Sequence, residues 1–289
     1  MVACDSKNKE EKTVQKIKVV TSNWIGYAPL LYAYEKGELE QLNIELVVTN
    51  SLQSSILMYE KNSYDGICST QKEIEYINNK YQKNIQINPI AIFNRSYGGD
   101  VILASTSKDI LYSKKYEQID IYLEKDGVNE ILFEGFKKLK NWKVDFNVYN
   151  MNQYNIAKLE LDSSKKIPKV LITYEPYATK LKQKGFHLIE STKNNKLLVF
   201  DFLSIKEGTL EKKEINRLQK IVNNSIEKLQ SNPKEFYHEI KIYFEDVSYT
   251  EFHQSLNEIQ LFTNKRKNNM VRLIKKEEVF SNIQYLEEQ

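Results

Sequence analysis

The sequence predicts an α/β layer fold with a largely parallel sheet, and three observations carry the prediction. Strand-like runs alternate with segments of helical length from residue 16 to about residue 203. Two helical segments open on a proline in or after the loop that follows a strand, at Pro29 and Pro176, where the missing N–H costs a helix nothing. A chain of 289 residues, at about 150 per domain, has room for two domains, or one large one, with an ample core.

Taken in order, residues 16–21 alternate and read as the first strand. A loop over 22–28 follows, then a helix from Pro29 through Leu30, Leu31, Tyr32, Ala33 and Tyr34 that stops at Gly37. A strand at 44–48, a helix around 54–61 and a short strand at 65–68 come next. Thr70, with Glu73 three residues later, is a capping box that opens a helix to about Asn79. Residues 85–93 and 101–104 are strand-like. The pattern resumes with a strand at 119–122, an amphipathic helix at 129–140 and strands at 144–149 and 169–173; Pro176 then starts a helix that Gly185 ends. The run 197–203 is apolar, and beyond it helices dominate. Within 209–230, Ile215, Leu218, Val222, Ile226 and Leu229 form one buried stripe. Asn232 and Pro233 separate it from the next helix, and Phe252, Leu256 and Ile259 mark another. No internal repeat of fixed period is visible.

Composition narrows the function classes. Hydrophobic residues make up 41%, charged 28% and aromatic 11%, near the globular norm, which argues against a disordered, collagenous or coiled-coil chain. Forty-two basic and 39 acidic residues leave a net +3 with the signs interspersed, so no nucleic-acid partner is expected. The densest basic stretch, Lys265, Arg266, Lys267, Arg272, Lys275 and Lys276, reads as a solvated helix face or loop. No window holds 18 consecutive apolar residues, so no helical membrane span is expected. Only nine glycines occur, and Gly26, Gly98 and Gly99 fall in two short loops.

Cys4 and Cys68 lack metal-ligand spacing, and His187, His238 and His253 are far apart in sequence, so neither a zinc site nor a cofactor is expected. Cys68 follows Gly66 and Ile67 in a strand-like run, where a thiol acts as a small hydrophobe. Cys4 follows the small residue Ala3 and precedes a polar stretch, which resembles the end of a bacterial lipoprotein signal followed by a tether. The charged and hydrophobic parts of such a signal do not precede it, so Met1 is expected to be a trimmed start. Acylation of Cys4 would anchor the domain at a membrane, each buried methylene contributing about 0.8 kcal/mol.

Two loops occupy the same architectural place. Trp24, Ile25, Gly26 and Tyr27 follow the first strand and precede the Pro29 helix; Tyr174, Glu175, Pro176 and Tyr177 follow the strand at 169–173. Ligands of parallel α/β sheets bind outside the carboxyl ends of strands, where helix N-termini offer free N–H groups. Trp and Tyr add flat faces with polar tips suited to a small organic molecule. Each aromatic taken singly also fits a core or rim position.

The run Thr21, Ser22, Asn23, Trp24, Ile25, Gly26, Tyr27, Ala28, Pro29, Leu30, followed by Tyr32-Ala33 and Lys36-Gly37, resembles the opening of ABC-importer substrate-binding proteins of the nitrate, sulfonate, taurine and thiamine-precursor type. Tyr64-Asp65-Gly66 with Ser69-Thr70 resembles the family's short strand and helix cap. The run from Ser96 and Tyr97 through Gly98 and Gly99 to Asp100 resembles its loop before the crossing to the second lobe, and Glu175-Pro176 its second-lobe helix start. The resemblance covers about residues 16–205.

The resemblance implies a type II periplasmic-binding-protein fold of two α/β lobes with a ligand cleft between them. Residues 1–15 would be a tether after lipidated Cys4, residues 16–104 plus 194–289 lobe one, and residues 105–193 lobe two. It implies a monomeric extracytoplasmic protein, not an enzyme, that closes on a small ligand and delivers it to an ABC permease. The ligand-binding set it implies is Trp24, Tyr27, Ser69, Thr70, Ser96, Tyr97, Gly98, Asp100, Tyr174, Glu175 and Tyr177. Only four arginines occur, and of these Arg95 alone lies near a proposed loop, whereas Asp100 and Glu175 place carboxylates beside aromatics. A ligand with an amine, amidine or N-heterocyclic donor, bracketed by Trp24, Tyr27 and Tyr177, is therefore favoured over sulfonate or nitrate. Asp100 equally suits a brace for the Gly98-Gly99 loop, Glu175 a partner for its helix's positive end, and Arg95 a surface ion pair. Two rivals share the scaffold. One is an enzyme such as the lyases of menaquinone synthesis, with Asp100 or Glu175 as base; the pyrimidine synthase that consumes its own histidine fits less, its cysteine-rich motif being absent. The other is a ligand-sensing module of a signalling system.

Overall fold

The computed structural model describes residues 16–61, 63–81, 86–113, 116–140 (backbone alone at 139 and 140), 144–162, 166–194, 197–276, 286 and 289. Cys4 and the tether expected over residues 1–15 lie outside the described residues. The first unit runs β1 (Ile17–Ser22), α1 (Ala28–Glu35), β2 (Ile44–Thr49), α2 (Leu52–Lys61), β3 (Gly66–Thr70), α3 (Gln71–Lys80) and β4 (Ile87–Ser96). The second runs β5 (Asp100–Ala104), α4 (Lys108–Ser113), β6 (Gln118–Leu123), α5 (Val128–Lys140), β7 (Asp145–Asn150), α6 (Gln153–Ile156), β8 (Lys169–Tyr174), α7 (Tyr177–Gln183) and β9 (His187–Ser191). The chain then returns through β10 (Phe200–Lys206), α8 (Lys212–Ser231), α9 (Pro233–Ile240), α10 (Tyr249–Leu256), β11 (Ile259–Leu261) and α11 (Lys267–Lys276).

These strands form two sheets, one of six strands in the order β11-β4-β10-β3-β1-β2 and one of five in the order β7-β6-β8-β5-β9. The expectation of a largely parallel sheet is corrected: β1 runs parallel to β2 and β3, and β6 to β7 and β8, but β10 is antiparallel to β3 and β4, and β5 to β8 and β9. The strands that follow each crossing, β5 and β10, enter a sheet against the direction of its βαβ units. The boundary expected after residue 104 moves with it, because β5 belongs to the second sheet and the first crossing occupies Tyr97 to Gly99.

Strand alternation sorts the second unit's core onto two faces. Ile102, Ala104, Val170 and Ile172 face Leu132, Phe133 and Phe136 of α5, whereas Val101, Leu103 and Leu171 face Ala178 and Leu181 of α7. In the first unit the α8 stripe is buried, Ile215, Leu218, Val222, Ile226 and Leu229 all facing the core, and α8 packs on α1 and β4. The core of the first unit extends across the boundary to Val128, Tyr174 and Tyr177. Ile259, expected to extend a helix with Phe252 and Leu256, instead opens β11, which pairs with the end of β4. Of the basic stretch, Arg272, Lys275 and Lys276 are exposed on α11, whose Met270 and Ile274 are buried, and Lys265 and Arg266 are exposed just before it.

Candidate functional site

The loop after β1 is fixed by what surrounds Trp24. Its indole N–H donates to Asp201 Oδ2 at 2.9 Å, and the Tyr27 hydroxyl donates to Asp201 Oδ1 at 3.0 Å. Both oxygens of a carboxylate that is 2% exposed are thereby engaged by the aromatic loop. Gly26 is required by proximity: a Cβ there would overlap Trp24 Nε1 and Asn94 Nδ2. Gly99 meets the same indole from the crossing segment, where a Cβ would lie 2.7 Å from Trp24 Cη2. Gly98 adopts φ +117°, a conformation that favours glycine, and its N–H donates to Thr192 Oγ1 at 2.9 Å.

Strand register places the remaining groups. Asp201 on β10 lies opposite Thr70 on β3, and Asp100 on β5 opposite Tyr174 on β8. Thr70 caps α3 and completes the expected capping box with Glu73. Glu73 does more than close that box. Its Oε2 accepts from the Thr70 backbone at 3.0 Å, while Oε1 accepts from the Val128 N–H, at the start of α5 in the other unit, at 2.7 Å. Tyr174 bridges in the opposite sense, its hydroxyl accepting from Leu52 N–H at 3.0 Å, and its ring meets Trp24 edge-on at 5.4 Å. The Tyr177 hydroxyl donates to Asn50 O at 2.5 Å, and Gln53 Nε2 donates to Asn150 Oδ1 at 3.1 Å. The two units are thus closed on each other over a cavity of about 10 Å³, room for about one water. Trp24, Tyr27, Thr70, Asp100, Tyr174 and Asp201 line it, with Leu52, Val128 and Val199 as apolar walls.

The cavity is acidic, and among the described residues no Lys, Arg or His lines it. Burial pushes the Asp100 carboxyl up to about 7, against a Ser96 hydrogen bond that lowers it, with Glu73 raising it further. Burial likewise lifts Asp201 to about 8, although the Trp24 and Tyr27 donors oppose the rise. Nearby Glu124, which accepts from Gln153 N–H at 3.0 Å, rises to about 7 by burial, and Glu73 also rises by burial. Among the described residues, the buried Asp100 Oδ2 has no hydrogen-bond partner. Among the described residues no group of three or more His, Cys, Asp and Glu is arranged to hold a metal ion.

The structure brings Trp24, Tyr27, Thr70, Asp100 and Tyr174 of the sequence-derived set to one cavity and places the other six elsewhere. Ser69 is buried within β3 opposite Phe202. Ser96 Oγ bonds Thr192 Oγ1 at 2.9 Å and accepts from Asp100 N–H at 3.1 Å, so it braces the two crossings, as does Gly98. Tyr97 has the Arg95 and Lys193 cations at 5.7 and 5.6 Å from its ring and lies outside the cavity lining. Glu175 pairs with Lys182 Nζ at 2.9 Å and accepts from Thr179 N–H at 2.9 Å inside α7, the helix-partner alternative. Tyr177 lines a separate groove of about 290 Å³ with Asn23 and Asn50, so Tyr174 takes the place expected for it beside Trp24. Asp201, Glu73 as an inter-unit acceptor, and Glu124 escape the sequence reading. For Asp201 a signal exists: it is the one charged residue in the apolar run 197–203.

No protein-family model matches the chain, and no curated protein does. Solved structures match it along nearly its whole length at low identity. A ligand-binding component of an ABC-type import system from Staphylococcus aureus, with zinc bound, is 15% identical, with 94% of this chain and 95% of that one covered at a TM-score of 0.63. The periplasmic aliphatic sulphonate binding protein SsuA from Escherichia coli is 10% identical, with coverages of 96% and 92% and a TM-score of 0.62. A Candida albicans gene product described as having the generic periplasmic binding protein fold is 12% identical, with coverages of 94% and 93% and a TM-score of 0.62. Two α/β units, joined by paired crossings and closed over an aromatic and acidic cavity, give this chain the periplasmic-binding-protein fold, and its structural neighbours include ligand-binding components of ABC-type importers.

Proposed function

We propose that this protein is an extracytoplasmic substrate-binding component of an ABC importer, one that captures a small organic ligand by hinge closure and presents the closed shape to a permease. The cavity carries this reading. It lies at the carboxyl ends of β1, β3 and β8, and groups from both units line it, as expected where ligands bind at an interface between lobes. Opening would break the Leu52–Tyr174, Asn50–Tyr177 and Glu73–Val128 hydrogen bonds and widen the cavity; an organic ligand needs more room than one water, so closure around it would bring the units together at a wider setting than in the empty protein. The aromatic and carboxylate lining favours an amine, amidine or N-heterocyclic donor over sulfonate or nitrate. In this reading the protein is a monomer anchored through acylated Cys4, which holds it near the permease at raised effective concentration; mass spectrometry of the membrane-extracted protein would find the acyl mass on Cys4.

Asp100, raised to about 7, also has the pKa of a general base, so the lyase reading has one observation in its favour. Thermal-shift screening with amines, aminopyrimidines, sulfonates and nitrate, followed by recovery of the bound compound, separates the two. A captured ligand at 100 times its Kd stabilises by about 2.7 kcal/mol and is recovered unchanged. The shift is lost in Trp24→Ala and Asp100→Ala. Conversion of the compound, or a shift that survives both substitutions, overturns the capture reading.

A further inference from the structure

The closed site is incomplete in charge. Asp201 has both oxygens engaged, by Trp24 and Tyr27, and Glu73 spends both of its oxygens on Thr70 and Val128. Asp100 differs. It is 4% exposed, it lines the cavity, and among the described residues its Oδ2 has no hydrogen-bond partner. The acids around it rule out a simple remedy from the protein. Among the described residues, Asp201 on β10, Glu73 on α3 and Tyr174 on β8 are the titratable groups that interact with it from the elements packed around it, and each of them is neutral or negative. A buried carboxylate in that setting is neutralised either by a proton or by a cation from outside.

Resting on the capture reading, we propose that the site takes its ligand as an organic cation in exchange for a proton on Asp100. The ligand's N–H donor satisfies the unpartnered carboxylate, and its charge replaces the proton's. Asp201 keeps its place as the fixed acceptor that orients Trp24 and Tyr27 around the bound molecule. Without ligand, Asp100 holds its proton up to about pH 7. A cation selects the ionised form, so binding below that pH releases a proton. Affinity therefore falls as the pH falls below about 7, by up to about tenfold per unit, and levels off above it. Capture near neutral pH would turn to release in acid.

The test is titration calorimetry at pH 5.5, 6.5, 7.5 and 8.5 in pairs of buffers that differ in ionisation enthalpy. The probes are benzamidinium and 4-aminopyridinium as N–H-bearing cations, benzamide as a neutral isostere and benzenesulfonate as an anion. At least one cation is expected to bind, to release close to one proton at pH 5.5 and to weaken steeply between pH 7.5 and 5.5. In Asp100→Asn the preference for benzamidinium over benzamide and the proton release disappear. Asp100→Ala repeats the measurement without an amide at the position. Cation binding that is independent of pH, or that persists unchanged in both variants, overturns the proposal. So does tight binding of benzamide or benzenesulfonate with closure seen by X-ray scattering, an outcome that leaves the capture reading standing. Failure of every probe, whatever its charge, removes the capture reading and the exchange together.

Discussion

At the residue scale, Asp201 sets the geometry of the site, because one carboxylate positions two aromatic side chains from the loop after β1. Tyr27→Phe keeps the ring against Phe93 and removes one donor. A lost hydrogen bond to a buried acceptor costs about 1–2 kcal/mol. The Tyr27 donor lowers the Asp201 pKa, which means that it favours the ionised carboxylate. The loss in Tyr27→Phe is therefore expected to be larger at pH 9 than at pH 6, as urea denaturation at the two values would measure, and an equal loss at both would show that Tyr27 does not support the charged form. The aromatic half of this arrangement was legible in the sequence. Trp24, Gly26 and Tyr27 precede a helix-opening proline, and the glycine matters because the indole and Asn94 occupy the space of its Cβ. Of the acidic half, Asp100 alone was legible. Glu73, Asp100, Glu124 and Asp201 come from four separate segments, and only the antiparallel entry of β5 and β10 gathers them. A strand pattern does not encode which unit a strand joins.

At the element scale, most helices and strands follow from local chemistry, as the Thr70–Glu73 cap and the α8 stripe illustrate. The sequence missed elements whose cause is tertiary. β11 is three residues long and exists because the end of β4 offers it an edge; β9 carries exposed His187 and Leu188 and is held by β5. The contact between α3 and α5 is tertiary as well. Glu73 touches the first turn of both helices, and a Cβ on Gly127 would overlap its carboxylate. Gly127 has no positive φ, so Gly127→Ala introduces no backbone strain and acts through the overlap across the units. That variant is expected to fold normally, to show a larger radius of gyration than wild type by X-ray scattering and to bind ligand more weakly. Glu73→Gln is expected to loosen closure too, since an amide nitrogen cannot accept, so that either the Thr70 or the Val128 N–H loses its partner. A Gly127→Ala protein with wild-type scattering and affinity would show that this contact does not hold the units together.

At the scale of the whole molecule, closure concentrates acids away from water, and its consequence is a dependence of stability on pH. An unfolded aspartate titrates near 3.9. In the closed fold burial raises Asp100 to about 7 and Asp201 to about 8, with Glu124 raised to about 7. Groups whose folded pKa lies above the unfolded value bind protons more tightly when folded. Their contribution to stability is fully present below the unfolded value and is lost as the pH rises through the folded one. Surface carboxylates held by donors act in the opposite sense: Glu251, whose pKa the Ser248 hydrogen bonds help to lower, stabilises the fold above the acid range. Between about pH 5 and 8 that opposing contribution is already complete, whereas the cavity acids are still losing protons, each with a slope of about 1.4 kcal/mol per pH unit at most. The ligand-free protein is therefore expected to melt at a higher temperature at pH 5.5 than at pH 8.5. Asp100→Asn, which carries no charge at either pH, should flatten that dependence and melt above wild type at pH 8.5, while losing the response to cationic probes. A carboxylate that weakens the empty fold and strengthens the loaded one is the signature of a site under functional constraint. A wild-type melting temperature that rises from pH 5.5 to pH 8.5 would show that the acids are hydrated in solution and that the ligand-free protein rests open.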